Sequence, residues 1–201
     1  MKKAITSLAV FTLIATGGYF TFEHLNTTKA NNATRVISLS ATHPIFNDLE
    51  SIEDIADSII EVEFTGERDT ISWGEGEYQN SLSEVKINKV YKGELKEGDL
   101  IGVYEPAYFE DDTLHTVEGY NLMSENIRYI IFAKEFKDSN YSIIGMYQGK
   151  YDLDNREKVT TQKTNSNYLL ELESEYLGDE ENIKRFNKLK EQVVEKYNQE
   201  E

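Results

Sequence analysis

The sequence predicts an α+β fold: one domain built on a small twisted barrel of five or six short strands, flanked by helices. Three observations carry that prediction. Short segments between residues 58 and 153 alternate apolar and polar side chains. Turn residues separate these segments, at Lys92-Gly93, Gly98-Asp99 and Asp154-Asn155. A single long helical stripe follows at the C-terminus.

The elements follow in chain order. Met1-Lys2-Lys3 is a short positive start, Ala4 to Phe20 is mostly apolar, and Glu23 to Thr34 is polar. That order reads as an export signal over residues 1–30. Two readings of it stand open. Small residues near Thr28-Lys29-Ala30, Asn32-Ala33 and Ala15-Thr16-Gly17 offer cleavage sites, none a clean A-x-A. The apolar run, roughly 17 residues long, also meets the lower limit for an uncleaved anchor. A lipoprotein route needs a cysteine, and the chain has none. Residues 31–46 read as a linker with a short strand at Arg35 to Leu39, which Pro44 stops.

Asn47 to Ala56 reads as a short helix, with Leu49, Ile52 and Ile55 on one face and Asn47 or Asp48 as N-cap. In Ser58 to Thr65, Ile60, Val62 and Phe64 point one way and Glu61 and Glu63 the other, as in a half-buried strand. Arg68 to Asn80 reads as a loop. Leu82 to Tyr91 is the second strand, and Val90 falls out of phase, which predicts a bulge near Asn88-Lys89. Leu100 to Tyr104 is the third, ended by Pro106. Residues 105–127 read as irregular and acidic. Arg128 to Ala133 is apolar on both faces and predicts a central strand, followed by strands at Tyr141 to Tyr147 and Gln148 to Leu153. Asp154-Asn155 turns the chain into Lys158 to Thr161. Asn165 to Leu177 fits strand or helix. Asp179 to Gln199 is the clearest helix, with Ile183, Phe186, Leu189, Val193 and Tyr197 in one stripe and Asp179 as cap. Residues 47–161 therefore form the barrel domain, and 162–201 a segment and helix packed on it.

Charge narrows the function classes. With 21 Lys+Arg against 37 Asp+Glu, the net charge is −16. Such a body repels phosphate backbones, so no nucleic-acid partner is expected. Membrane contact is expected only through the N-terminal segment, if uncleaved. Zero cysteine means no disulfide, so stability rests on an ordinary core.

Glu110-Asp111-Asp112 with His115 and Glu118 has the oxygen-rich character of a cation loop, but a solvated acidic loop tip is the expected reading. Asp152 to Glu157 begins like a calcium loop, then fails: Glu157 stands where Gly is required and Lys163 where the closing Glu belongs. A hairpin turn is the expectation there, and no metal or cofactor is expected. Catalysis by a Ser or Thr nucleophile would need a base, and of His24, His43 and His115 only His115 lies in the body of the domain away from Pro44. No G-x-S-x-G is present. The 13 tyrosines are numerous for this length; Tyr104, Tyr108, Phe109 and Tyr120 cluster around the acidic stretch, with Trp73 in another loop. These four are the expected ligand-binding residues, because aromatic rings with polar tips build recognition surfaces.

The motifs ADSIIEVEFTG (56–66), VYKGELKEGD (90–99), RYIIF (128–132) and YSIIGMYQGKYDL (141–153) resemble a diffuse group of small exported Gram-positive bacterial proteins. Their order is also similar to that of netrin-like and tissue-inhibitor-of-metalloproteinase domains, over roughly residues 48–154. That resemblance implies an OB-like antiparallel β-barrel; with the strands and helices read above, the expected fold is such a barrel of five or six strands with a short N-terminal helix and a C-terminal amphipathic helix. The inhibitors chelate zinc through an N-terminal cysteine, which this chain lacks, so their mechanism does not carry over. The sequence thus points to an exported, non-enzymatic binding protein, secreted or held at the cell surface, with a protein or cell-wall component as partner. The alternatives are a secreted hydrolase using the acidic loop around His115, or an immunity or structural envelope protein.

Overall fold

The computed structural model describes residues 35–74, 78–155, 157–160 and 174–198. The export segment, Thr161 and residues 165–173 of the ambiguous stretch lie outside these. The fold is α+β with a β-rich core. Among the described residues are a three-stranded sheet, a six-stranded sheet and two α-helices.

Strand β1 (Arg35–Leu39) leads through a loop to α1 (Leu49–Ile55). Asp48 caps this helix by accepting the Ser51 N–H at 2.9 Å, and Leu49 and Ile52 supply its buried face. Strand β2 (Ser58–Trp73) is far longer than its alternating segment. Ile60, Val62 and Phe64 do enter one core cluster. At Gly66 the strand bulges: Phe64 lies opposite Val85 and Arg68 opposite Ser83, so three residues face Glu84 alone. Gly66 has a φ of 97°, a conformation that a side chain at this position would strain.

Beyond the bulge β2 pairs with β3 (Tyr78–Lys92) out to Trp73 opposite Tyr78. The expected loop over 68–80 is therefore mostly an extended hairpin. Its polar residues hid it, because its pairing is largely backbone and its faces are half exposed. The expected bulge in β3 is present: Glu61 pairs with Lys89 and Val62 with Ile87, which skips Asn88.

Strands β4 (Leu100–Glu105), β7 (Arg128–Lys137), β8 (Asn140–Ile143) and β9 (Lys150–Asp152) complete the larger sheet, in the order β2-β3-β4-β8-β7-β9. Strand β2 also pairs with β7, Ser58 to Ala133 through Glu63 to Arg128. The β4–β8 contact is parallel, with Val103 opposite Tyr141. This corrects the wholly antiparallel expectation. Parallel neighbours need a long crossover, and here it contains a whole hairpin and β7.

That hairpin is β5 (Ala107–Glu110) and β6 (Thr113–Val117), turning at the exposed Asp111-Asp112. It replaces the irregular stretch expected from 105. β1 lies parallel to β6, Arg35 opposite Thr113, and makes the three-stranded sheet. The expected strand 141–147 is cut short at Ile143; a 3-10 turn (Met146–Gly149) precedes β9, and residues 158–160 form no strand.

The core has two parts on either side of β7. Tyr129, Ile131 and Ala133 face the inner cluster with Ile60, Val62 and Ile87. Ile130 and Phe132 face the second cluster, under α2 (Glu180–Tyr197). The α2 stripe of Ile183, Phe186, Leu189, Val193 and Tyr197 is buried there. Asp179 caps α2 by accepting the Asn182 N–H at 2.8 Å.

Candidate functional site

The four residues expected to bind ligand fall into three environments. Tyr104 on β4 and Tyr108 on β5 line one open cleft. Phe109, on the opposite face of β5, packs against the inner cluster. Tyr120 is fully buried, and its hydroxyl donates to Glu105 Oε1 at 2.7 Å. It lies out of reach of a ligand at the surface.

The cleft has a volume of about 480 Å³. Its walls come from separate parts of the chain: Trp73, Tyr78 and Asn80 at the end of the β2–β3 hairpin, Tyr104, Pro106 and Tyr108 at the β4–β5 corner, His43 and Pro44 on the loop after β1, and Gly145 and Met146 after β8. The chain's one tryptophan and both prolines meet here. Trp73 sits 5.1 Å from Tyr104 and 6.0 Å from Phe136, centroid to centroid, and Tyr104 sits 5.6 Å from Phe136. Tyr78 and Phe136 are 68% and 60% exposed, so ring faces are open to solvent beside the cleft.

The loop after β1 is fixed at both ends. The Ala41 N–H donates to Glu118 Oε1 at 2.5 Å. The buried Gln148 amide grips the Phe46 backbone, accepting its N–H at 3.2 Å and donating to its carbonyl at 2.7 Å. Gly145 makes the opposite wall possible: its φ is 65°, and a Cβ there would come within 2.6 Å of the Phe46 ring. These contacts hold both walls of the cleft in place.

Its polar character is equally specific. Among the described residues no Asp, Glu, Lys or Arg lines it, in a chain that carries a charge of −16. The side chains of Thr42, Asn80 and Ser142 make no hydrogen bond to another described residue. His43 approaches the Ala41 carbonyl with Nδ1 at 3.1 Å, and its Nε2 has no partner among the described residues.

The acidic hairpin behaves differently. His115 stacks on Tyr108 with centroids 4.8 Å apart and planes 5° apart, and its Nε2 lies 3.5 Å from Glu110 Oε2. Burial and the Glu110 charge raise the Tyr108 hydroxyl above its ordinary range, so it stays protonated. No Ser or Thr hydroxyl hydrogen-bonds to His115 among the described residues. Nor do three or more His, Asp or Glu side chains converge there to hold a metal ion. Asp152, the start of the calcium-like segment, accepts the N–H groups of Asp154 and Asn155 at 2.8 and 2.9 Å and shapes a turn.

Sequence reasoning missed a buried ionic centre. Glu105, fully buried, accepts hydrogen bonds from Arg68 at 3.0 Å, Ser83 Oγ at 2.5 Å, Tyr120 and the Met123 N–H at 2.8 Å. Burial alone would raise its carboxyl, but the Arg68 and Lys150 charges with these donors hold it below the usual range. Lys150 donates to the Asn121 carbonyl and lies over the Tyr120 and Tyr129 rings at 4.5 and 5.1 Å. Burial pulls its ammonium down to about 8, against the opposing pull of Glu105 and Glu175. Every member is partnered, so the centre fixes the fold rather than offering free chemistry.

Trp73 could have been found from sequence: it is the chain's one tryptophan, and Gly74 and Gly76 separate it from Tyr78 in the manner of a hairpin turn. No local signal joins it to Tyr104, Pro44 or Phe136, which are distant in sequence. The chain matches no protein-family model, no curated protein and no solved structure.

Proposed function

We propose that this protein is an exported, non-enzymatic binding module acting at the cell envelope, with the cleft beside Trp73 as its recognition site. The observation that carries the reading is the cleft itself: rich in aromatic rings, with no Asp, Glu, Lys or Arg on its described lining. Most small-molecule and chain-binding sites combine apolar walls with a few polar groups in this way.

The finer fold reading supports it. The pairings β2-β3-β4-β8-β7 and back to β2 fit an OB-like barrel, as the resemblance to netrin-like domains implies. In such barrels the middle-strand face and the adjoining hairpin loops bind ligands. Here the ends of the β2–β3 and β7–β8 hairpins approach each other where Trp73 meets Phe136. The export reading rests on the Lys2-Lys3 start and the apolar run after it.

The test is binding to whole envelopes from the producing cell. Wild-type protein should sediment with them, and Trp73→Ala should lose most of that binding while keeping its circular dichroism. Equal sedimentation of both proteins would defeat the reading. The hydrolase alternative has one supporting observation, the His115–Glu110 contact at 3.5 Å. Turnover of envelope material that vanishes in His115→Ala would favour it.

A further inference from the structure

The lining of the cleft narrows the class of ligand, given the binding reading above. We propose that the cleft takes an uncharged oligosaccharide, a short stretch of a neutral envelope polysaccharide. Charge disfavours an anionic polymer first. An anionic chain would meet a protein of net charge −16 with no described Lys or Arg in the cleft to offset the repulsion.

The surviving groups fit a sugar. A pyranose ring presents a face of C–H groups and a rim of hydroxyls. Trp73 and the exposed Tyr78 offer ring faces for the first, with Tyr104 packed behind Trp73. The Asn80 amide and the Thr42 and Ser142 hydroxyls, unengaged with other described residues, offer donors and acceptors for the second. Pro44 and Pro106 stiffen the walls, which lowers the entropic cost of ordering them around a ligand.

The experiment uses the protein as the cell exports it and envelopes from the same cell. Envelopes are treated with periodate, which cleaves vicinal diols, or with protease, and binding is measured to each. Polysaccharide released from the same envelopes is separated into neutral and anionic fractions. Each is titrated against the protein, with the emission of Trp73 as reporter, since the chain has no other tryptophan. Periodate should abolish envelope binding and protease should spare it. The neutral fraction should shift the emission saturably and the anionic fraction should not. Calorimetry should show at least tenfold weaker binding for Tyr78→Ala, an exposed residue whose loss leaves the core intact.

Binding that survives periodate and disappears with protease would assign a peptide ligand: the sugar inference would fall and the binding reading would stand. Response to the anionic fraction alone, or to neither fraction, would likewise overturn the sugar. Envelope binding unchanged in both Trp73→Ala and Tyr78→Ala would overturn the two together.

Discussion

Arg68 and Glu105 meet at 3.0 Å, with the Glu105 side chain wholly buried and that of Arg68 12% exposed. The pair links the far half of β2 to the end of β4. The same guanidinium donates to the Met123 carbonyl at 2.7 Å and covers the Phe64 ring at 4.1 Å. Glu105 in turn holds Tyr120 and the Met123 N–H, so one ion pair organises the segment after β6. Desolvating two charges is costly, and the cost is met here by hydrogen bonds to most of their polar atoms.

Removing one partner should therefore be severe. Arg68→Met leaves a buried carboxylate without its main counter-charge and should cost roughly 3–5 kcal/mol in urea denaturation. Arg68→Met combined with Glu105→Leu should recover much of that loss, because no unpaired charge remains. A single-variant cost under about 1 kcal/mol would mean the pair is dispensable.

The same carboxylate sets a pH dependence. Its folded pKa lies below the ordinary value of 4.5. Glu105 therefore contributes stability that is fully present above 4.5 and is lost as pH falls through its folded pKa. Wild-type protein should lose stability in that acid window more steeply than Glu105→Gln, which has no proton to take up there. Parallel stability–pH curves for the two proteins would refute the assignment.

Phe132 tests the second core cluster. It is fully buried on β7 and meets Tyr151 and Tyr197 edge-on at 6.2 and 6.0 Å. Phe132→Ala should cost roughly 3–5 kcal/mol, the usual range for a buried aromatic truncation. A loss below about 1 kcal/mol would mean α2 does not hold the sheet.

Legibility followed locality. The run RYIIFA revealed a strand buried on both faces because both alternating sets are apolar. The α2 stripe and the Asp48 and Asp179 caps were equally readable, since each depends on neighbours within one or two turns. The bulge at Asn88 showed as a phase slip in Val90. The β5–β6 hairpin stayed hidden because Thr113 and Thr116 fill buried positions and its partner β1 is remote in sequence. The cleft was half legible: Tyr104 and Tyr108 belong to it, but Trp73, His43 and Asn80 reach it only through long-range pairing. Tyr120 shared the sequence cluster yet turned inward to Glu105, a contact no spacing announces.

Gly145 tests whether the cleft wall is built in advance. Its left-handed backbone disfavours a side chain, and the Phe46 ring occupies the space a Cβ would need. Gly145→Ala should cost roughly 1–3 kcal/mol, the strain of a residue forced into that region. Envelope binding should fall further than this loss alone explains, because Phe46 anchors the opposite loop through Gln148. Unchanged binding in the folded variant would show that the wall is not part of the site.

The β5–β6 hairpin offers the sharpest separation between recognition, packing and chemistry, because three neighbouring side chains serve three different ends. Tyr108 lines the cleft, Phe109 packs on the inner cluster, and His115 stacks outside against Tyr108. Tyr108→Ala should weaken envelope binding by on the order of 1–2 kcal/mol, as lost aromatic anchors do, with little change in stability. Phe109→Ala should do the reverse, lowering stability and leaving the affinity of the folded fraction nearly intact. His115→Ala removes a stacking partner and a contact with Glu110, but no group that meets the ligand, so binding should hold. If the hairpin instead carried hydrolytic chemistry, loss of His115 as general base would cost about 10²–10⁴ in rate. Binding by the three variants to intact envelopes, measured beside release of soluble fragments, separates these cases. Fragment release that requires His115 while Tyr108→Ala binds normally would move the function from the cleft to the acidic hairpin.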